Sequence, residues 1–213
     1  MLALLDTHTD LRQCAHELGC AVEQLLTPLT RFKAQFPTEG FAIDNGAFTR
    51  FDAQAFKALL QREASRKSLC HFVAVPDVVA SARRTLECFE YWHALPCLAG
   101  WPLALVAQDG QEHLPIPWAA LAAIFIGGST EWKLSIYAVQ IIKAAKILGK
   151  WVHVGRVNTP GRFNYFRALG ADSIDGTGLA QYTWMRERIY IEHIMPSLFP
   201  RQEEPHACHV SVA

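Results

Sequence analysis

Between Trp151 and Gly178 the chain reads WVHVGRVNTPGRFNYFRALGADSIDGTG, and this stretch restricts the fold more than any other. Trp151 to Val154 is mostly β-branched or aromatic and stops at Gly155, as a short buried strand does. Thr159-Pro160 reads as an N-cap followed by the first helical residue. It predicts a helix from about Pro160 to Leu169, with Phe163, Phe166 and Leu169 on one apolar face and Gly170 as its left-handed stop. Ala171 to Ile174 is too short for a helix and suits a second small strand, which leaves Asp175 at its carboxyl end. In a parallel α/β protein that edge carries the catalytic groups. Asp172 lies three residues earlier, so strand alternation sends the two carboxylates to opposite faces, and they cannot share a role. The same residues also read as a cap at Asp172 and an ordinary turn at Asp175-Gly176.

Upstream the same unit recurs. MLALLD reads as a first strand, Asp10 to Leu18 as a helix ended by Gly19, and Leu25, Leu26 and Leu29 as a strand around Pro28. FAID forms a buried strand followed by the tight loop NGAF, and Asp52 caps a helix with Phe56, Leu59 and Leu60 at helical spacing. His71 to Val75 is a strand ending in Pro76-Asp77, and Ser81 caps a helix carrying Leu86, Phe89, Tyr91 and Trp92. Pro102 to Ala107 ends in Gln108-Asp109-Gly110, and Ile124 to Ile126 in Gly127-Gly128-Ser129. One long helix is predicted from about Trp132 to Leu148. Seven or eight such units without a long hydrophilic linker predict an α/β fold, a compact TIM-like (β/α) barrel with one helix missing or replaced by a loop. The barrel is expected to be a single domain over residues 1–201, with 202–213 a loosely held polar tail.

The composition agrees with one packed domain, since 213 residues with 51% hydrophobic and 19% charged content can bury a substantial core. Lys+Arg and Asp+Glu are both 20, so no global basic field attracts nucleic acid and any such contact needs a local patch. Six cysteines, at 14, 20, 70, 88, 97 and 208, form no CxxC pair, which suits reduced thiols and a cytoplasmic location. No window has the length of uninterrupted apolar residues needed to span a membrane.

Asp44-Asn45, Asp77, Gln108-Asp109, Gly127-Gly128 and Asp175 all fall just past an apolar strand, and in a barrel these positions converge on one mouth. Carboxylates gathered there repel one another and lose hydration, so at least one is expected to have a raised pKa and to be able to carry a proton. That is the composition of an acid/base plus nucleophile site. Taken singly, Asp44-Asn45-Gly46 and Asp109-Gly110 are good turn sequences and Asp77 a good helix cap; their agreement is what points to a site.

In order, IDNGAF (Ile43 to Phe48), VAVPD (Val73 to Asp77), LVAQDG (Leu105 to Gly110), FIGGS (Phe125 to Ser129) and HVGRVNTP with GADSIDG (His153 to Gly176) resemble the active-site motifs of the tRNA-guanine transglycosylase superfamily. The small size and the IDNGAF form are most similar to the DpdA-type transglycosylases of 7-deazaguanine DNA modification, found in phages and bacterial modification clusters. The resemblance implies a base-exchange enzyme that replaces guanine in DNA with a 7-deazaguanine base, preQ0 or a relative, without a cofactor and with DNA as partner. A partner protein or a homo-oligomer is compatible with it. By motif, Asp175 is similar to the nucleophile and Asp44 to the acid/base that also touches the base, while Asp77 and Gln108 correspond to groups that read the purine edge. Asn45 and Val154 belong to the pocket wall, Gly127 and Gly128 offer backbone contacts, and Phe48 stacks on the base. The family's DSGGFQ is DNGAFT here, and Ser129-Thr130-Glu131 follows the glycine pair. The cysteine cluster with a histidine that binds zinc in the tRNA enzymes has no counterpart, because His206, Cys208 and His209 lack partners at metal-binding spacing. No metal and no zinc-binding subdomain are expected, which favours DNA over tRNA as substrate.

Arg50, Arg156 and Arg162 follow strand ends or begin the next helix, and are expected to ring the mouth with Lys133 and to contact phosphates. Two other classes remain open. The segment DTHTD, Asp6 to Asp10, resembles a metal-ligand cluster of barrel hydrolases and, with His71, His153 and Asp175, can be read as a divalent-metal site; the competing reading is a capped first helical turn. A non-catalytic barrel that binds modified DNA is the other.

Overall fold

A computed structural model describes residues 1–6, 10–29 and 38–194. Its strands are β1 (Leu2–Leu5), β2 (Val22–Leu26), β3 (Phe41–Ile43), β4 (Cys70–Ala74), β5 (Leu103–Ala107), β6 (Ala123–Ile126), β7 (Trp151–Val154) and β8 (Ser173–Ile174). All pair in parallel with their sequence neighbours, and β8 returns to β1 through Leu2 with Ser173 and Ala3 with Ile174, closing an eight-stranded barrel. This is the single-domain TIM (β/α) barrel that the alternation of strand and helix predicts. Closure leaves no unpaired strand edge.

The helices are α1 (Leu11–Leu18), α2 (Ala53–Arg62), α3 (Ala82–Trp92), α4 (Thr130–Lys133), α5 (Ile136–Ile147), α6 (Pro160–Ala168), α7 (Thr177–Gln181) and α8 (Thr183–Ile194). Between β5 and β6 two short 3₁₀ turns, Gln111–His113 and Trp118–Ala120, stand where a crossover helix would, so that unit carries the expected missing helix. Asp10, Asp52 and Thr159 accept backbone N–H groups as N-caps of α1, α2 and α6. In α6 Phe163 and Phe166 are both buried, which contributes about 1.5–3 kcal/mol per ring. Gly170 follows at φ 83°, where a side chain is disfavoured.

Strand alternation divides the apolar residues into two bodies. Leu2, Leu4, Leu25, Ala42, Phe72, Ala74, Ala104, Val106, Ala123 and Phe125 form one inside the barrel, with Trp151 packed against it. Large rings facing alanines fill that lumen. The intervening residues, Ile43, Val73, Leu105, Ile124, Val152, Val154 and Ile174 among them, form the second body between the barrel and its helices. In the pairing of β3 with β4, Phe41 stands opposite Cys70 and Ile43 opposite Val73, so β4 holds one extra residue. This bulge lets the neighbours His71 and Phe72 both face inward. His71 meets Glu23 at 2.6 Å and stacks on Trp151, while Phe72 packs on Phe125 and His153. Gly40 is glycine because a Cβ there would come within 2.4 Å of Glu23 Oε2 and 2.5 Å of His71 Nε2.

Several local expectations are corrected. The second strand ends at Leu26, before Pro28, where proline offers no N–H to a ladder. The long helix expected from Trp132 to Leu148 is two helices, because Ser129 and Ser135 each turn a side-chain oxygen onto the backbone and start a new helix. Val154, expected in the pocket wall, faces the helix layer, since in β7 the lumen-facing residues are Trp151, His153 and, past the strand end, Gly155. The domain boundary at 201, the tail 202–213 and residues 7–9, including His8, lie outside the described residues.

The last helix closes the outer layer on the first. Arg186 of α8, 4% exposed, donates from Nε to Glu17 of α1 at 2.5 Å, from Nη1 to the carbonyls of Leu179 and Ala180, and from Nη2 to Thr183 Oγ1. Removing one partner of such a pair strands the other, so Arg186→Met is expected to cost about 3–5 kcal/mol. Replacing both, Arg186→Met with Glu17→Leu, should recover most of that loss. Urea midpoints of the two variants check this; equal instability would show that the carbonyl bonds, and not the ion pair, hold α8.

Candidate active site

The carboxyl ends of the strands carry a concentration of acids. Asp6 follows β1, Asp44 β3, Asp77 β4, Asp109 β5 and Asp175 β8, so the convergence expected from sequence is met in the barrel mouth. A cavity of about 600 Å³ opens on the β1–β8 side of the mouth, lined by Leu4, Leu25, Asp6, Asp175, Thr177 and Arg186 among others; Asp44, Asp77 and Asp109 do not line it. Asp172, at the start of β8, sits at the opposite end of that strand. It receives Lys146 Nζ at 2.7 and 2.8 Å and the Val152 N–H at 2.8 Å, which is the separation of roles that three-residue spacing implies.

Asp175 is held at both oxygens. Oδ1 accepts the backbone N–H of Arg156 at 2.9 Å, and Oδ2 lies 2.9 Å from His153 Nε2. The segment after β7 wraps this carboxylate: Val157 N–H donates to the Asp175 carbonyl at 2.7 Å and Asn158 Oδ1 accepts the Gly178 N–H at 3.0 Å. Arg156 takes a left-handed φ of 58° to present its N–H, a conformation that costs of order 1–3 kcal/mol outside glycine and is retained where the surroundings enforce it. Gly155 and Gly176 complete the cradle. A Cβ at Gly155 would strike the Phe125 ring at 2.4 Å and crowd Asp175 Oδ2 at 3.3 Å, and one at Gly176 would meet the Val157 carbonyl at 2.2 Å.

Asp44 is a carboxyl of a different kind. Burial pushes its pKa up to about 7; the Gly46 N–H bonded to Oδ1 at 2.7 Å opposes this, and the charges of Asp175, Asp77 and Asp6 raise it further. Gly46 sits at φ 76° to make that turn. Asp77 is also raised by burial, against the amides of Asn45 and Gln108 that donate to its two oxygens at 2.8 and 2.7 Å. Both amides are themselves fixed. Asn45 also donates to the Val75 carbonyl and accepts the Ala47 N–H, while Gln108 accepts the Ala80 N–H. Each Asp77 oxygen keeps a lone pair for a further donor. Asp109 goes the other way: burial raises it, but the Ser129 hydroxyl and N–H at 2.6 and 2.7 Å outweigh that and hold it below the usual carboxylate range. Its bonds close the loop before α4, a structural use.

Two of the four basic residues expected to bind phosphate are engaged inside the protein. Lys133, 3% exposed, donates to the Gly155 carbonyl at 2.6 Å, and burial, with Arg156 nearby, lowers its pKa to about 8 despite Asp175. Arg156 donates from Nη2 to the carbonyls of Gly127 and Gly128 at 2.9 and 2.5 Å. Both are corrected to tethers that fix the β6 and β7 ends. The same bonds take up the glycine carbonyls, and the Gly127 and Gly128 N–H groups donate to Ala107, so the backbone contacts expected of these glycines are already made within the chain. Arg50 is exposed, and Arg162 is half-buried on the first turn of α6. Phe48 is 65% exposed and carries the Arg156 guanidinium on its ring at 4.5 Å, leaving a flat, solvent-facing aromatic beside the acids.

From sequence, His153 opens the HVGRVNTP motif and is given a role only as one ligand of a divalent-metal site. In the structure it is fully buried and bonded to Asp175, and His71 belongs to the foot of the barrel with Glu23; Asp10 caps α1. Among the described residues no group of three or more His, Cys, Asp or Glu is arranged to hold a metal ion. The available signal for His153 was its position two residues before Gly155 in an inward-facing register. Ser173 and Trp151, its further partners, carried none. Among the described residues no helix is long and apolar enough to cross a membrane.

No protein-family model matches this chain, and no curated protein matches it. Solved structures do. A mandelate oxidase variant with a C4a-OH-FMN adduct superposes with a TM-score of 0.55 at 14% identity over 92% of this chain and 74% of that one. A flavocytochrome B2 variant gives 0.51 at 11% identity over 92% and 64%, and a mandelate oxidase with 3,3-difluoro-2-hydroxy-3-phenylpropionic acid 0.50 at 15% over 89% and 69%. At these identities the likeness is that of the barrel, whose mouth hosts many chemistries.

The raised Asp44 has a consequence for stability. Its folded value of about 7 exceeds the ordinary carboxylate value of about 4, so the folded state binds the proton more tightly and loses stability as pH rises between those values. Asp44→Asn, which cannot ionise, should match the wild type below about pH 4 and exceed it above pH 7. Denaturant unfolding across that range measures the difference; a variant no more stable at pH 8 than at pH 4, relative to wild type, would place the buried proton elsewhere.

Proposed function

We propose that this barrel is a base-exchange glycosyltransferase that replaces guanine in DNA with a 7-deazaguanine base through a covalent Asp175 intermediate. The observation that carries this reading is the pairing, in one mouth, of an Asp175 held at both oxygens with an Asp44 whose pKa burial raises to about 7. The first group suits attack and the second proton transfer. The ordered motif resemblance supplies the substrate class.

In this mechanism an Asp175 oxygen bonds to the sugar anomeric carbon as the bond from that carbon to guanine breaks, and the bonding pair leaves with the base. Asp44 gives its proton to the departing guanine. An incoming 7-deazaguanine then returns a proton to Asp44, and its ring nitrogen displaces Asp175 from the sugar. The lone pairs left on Asp77 suit the amino and ring N–H groups of a purine edge, with Asn45 and Gln108 holding that carboxylate in place. Phe48, backed by Arg156, offers a stacking face. A base inside a duplex cannot reach such a pocket, so the target is flipped or unpaired. Phosphate contacts fall to Arg50 and Arg162, because Lys133 and Arg156 are committed to backbone carbonyls.

Incubation with DNA and labelled guanine should show exchange into the polymer. Asp175→Asn should abolish exchange and the protein–DNA adduct on a denaturing gel while purine binding by calorimetry survives. Asp44→Asn should slow turnover by roughly 10²–10⁴-fold and weaken purine binding as well. An adduct that persists in Asp175→Asn would move the nucleophile, with Asp44 the first alternative; an absence of exchange with stable DNA binding would instead favour a barrel that binds without turnover.

A further inference from the structure

Behind Asp175 lies a column of polar groups to which the base-exchange scheme assigns no step. His153 Nε2 is 2.9 Å from Asp175 Oδ2, His153 Nδ1 is 2.8 Å from Ser173 Oγ, and Trp151 Nε1 donates to the same Ser173 Oγ at 2.8 Å. His153 and Ser173 are fully buried, and the imidazole is gripped by the rings of Phe72 at 4.9 Å and Phe125 at 4.4 Å. The ring cannot turn without losing both of its bonds.

The donor inventory decides where the proton sits. An indole N–H only donates, so Ser173 Oγ is its acceptor, and the serine keeps one proton to give. If His153 is neutral with the proton on Nε2, it donates to Asp175, the Ser173 hydroxyl donates to Nδ1, and every group is satisfied. With the proton on Nδ1, Nε2 and a carboxylate oxygen face each other with no hydrogen between them. A doubly protonated ring makes Ser173 Oγ accept twice and leaves its buried hydroxyl proton without an acceptor among the described residues, which is unfavourable for a buried donor.

We propose that Trp151 and Ser173 hold His153 as a neutral, Nε2-protonated imidazole, and that this ring is the positioning residue that keeps Asp175 aimed and ionised as the nucleophile. A neutral donor fixes the carboxylate without supplying it a proton, so acid/base work stays with Asp44. Arg156 N–H holds the other oxygen, and the two donors together set the plane of the carboxylate. The positioning of Asp175 stands on the geometry alone; the nucleophilic role rests on the base-exchange reading.

Two measurements on the full chain test it. Long-range ¹⁵N–¹H correlation of histidine-labelled protein at neutral pH, with the signal assigned by its loss in His153→Gln, should show an unprotonated Nδ1 and a protonated Nε2. Ser173→Ala should shift that signal. A protonated Nδ1, or no response to Ser173→Ala, would overturn the relay whether or not the protein exchanges bases. In the activity arm, His153→Gln retains an N–H at the reach of Nε2 and should form the protein–DNA adduct within about tenfold of wild type, whereas His153→Leu should lose roughly 10²–10³-fold in rate with purine binding unchanged. Adduct formation by His153→Leu at the wild-type rate would also overturn it. If the wild type itself forms no adduct, the base-exchange reading fails, and the tautomer measurement alone decides the relay.

Discussion

A closed barrel has one interior, and any polar group that strand alternation points into it must find its partner there. That constraint organises this molecule. Most inward positions are taken by apolar side chains, and the polar ones form two connected sets: Glu23 with His71 at the foot, and Trp151, Ser173, His153 and Asp175 rising toward the mouth. The stacking of His71 on Trp151 joins the two sets. A single inserted residue in β4 makes the lower pair possible, because without the bulge His71 and Phe72 would face opposite sides.

At the mouth, burial weighed against hydrogen-bond donors distinguishes the carboxylates. Asp109, bonded twice by Ser129, stays readily ionised; Asp44, with one backbone donor and three acidic neighbours, keeps its proton to about neutral pH. Asp77, with an amide donor on each oxygen, is still raised by its burial. Neutral composition hides this local asymmetry, because two of the compensating cations stand beside the acids: buried Lys133 and half-buried Arg156 donate to backbone carbonyls at the ends of β6 and β7 and stiffen the loops that carry the site.

These tethers explain why motif reading went further for acids than for bases. An aspartate just past a strand is placed by the strand, a local matter of period two. A lysine in a short helix is placed by whatever lies within reach of a long side chain, and for Lys133 that is Gly155, 22 residues away. The same distinction applies to Val154, which a motif places beside the pocket and the pleat turns toward the helices.

From the sequence alone came the barrel, the order of its strands, the position of its mouth, and Asp44, Asp77, Gln108 and Asp175 as mouth residues, because hydrophobic period, caps and glycine stops act over a few neighbouring residues and are written in them. The start of α5 was not readable, because Ser135, the cap inside the 132–148 run, is a single polar residue in an otherwise mainly apolar helical pattern. Only the tertiary structure decided the proton-holding character of Asp44, the commitments of Arg156 and Lys133, and the alignment of Trp151, Ser173 and His153 behind Asp175. Each depends on desolvation and on distances across neighbouring strands that meet only when β7 pairs with β8 and the barrel closes, and no local pattern encodes either quantity.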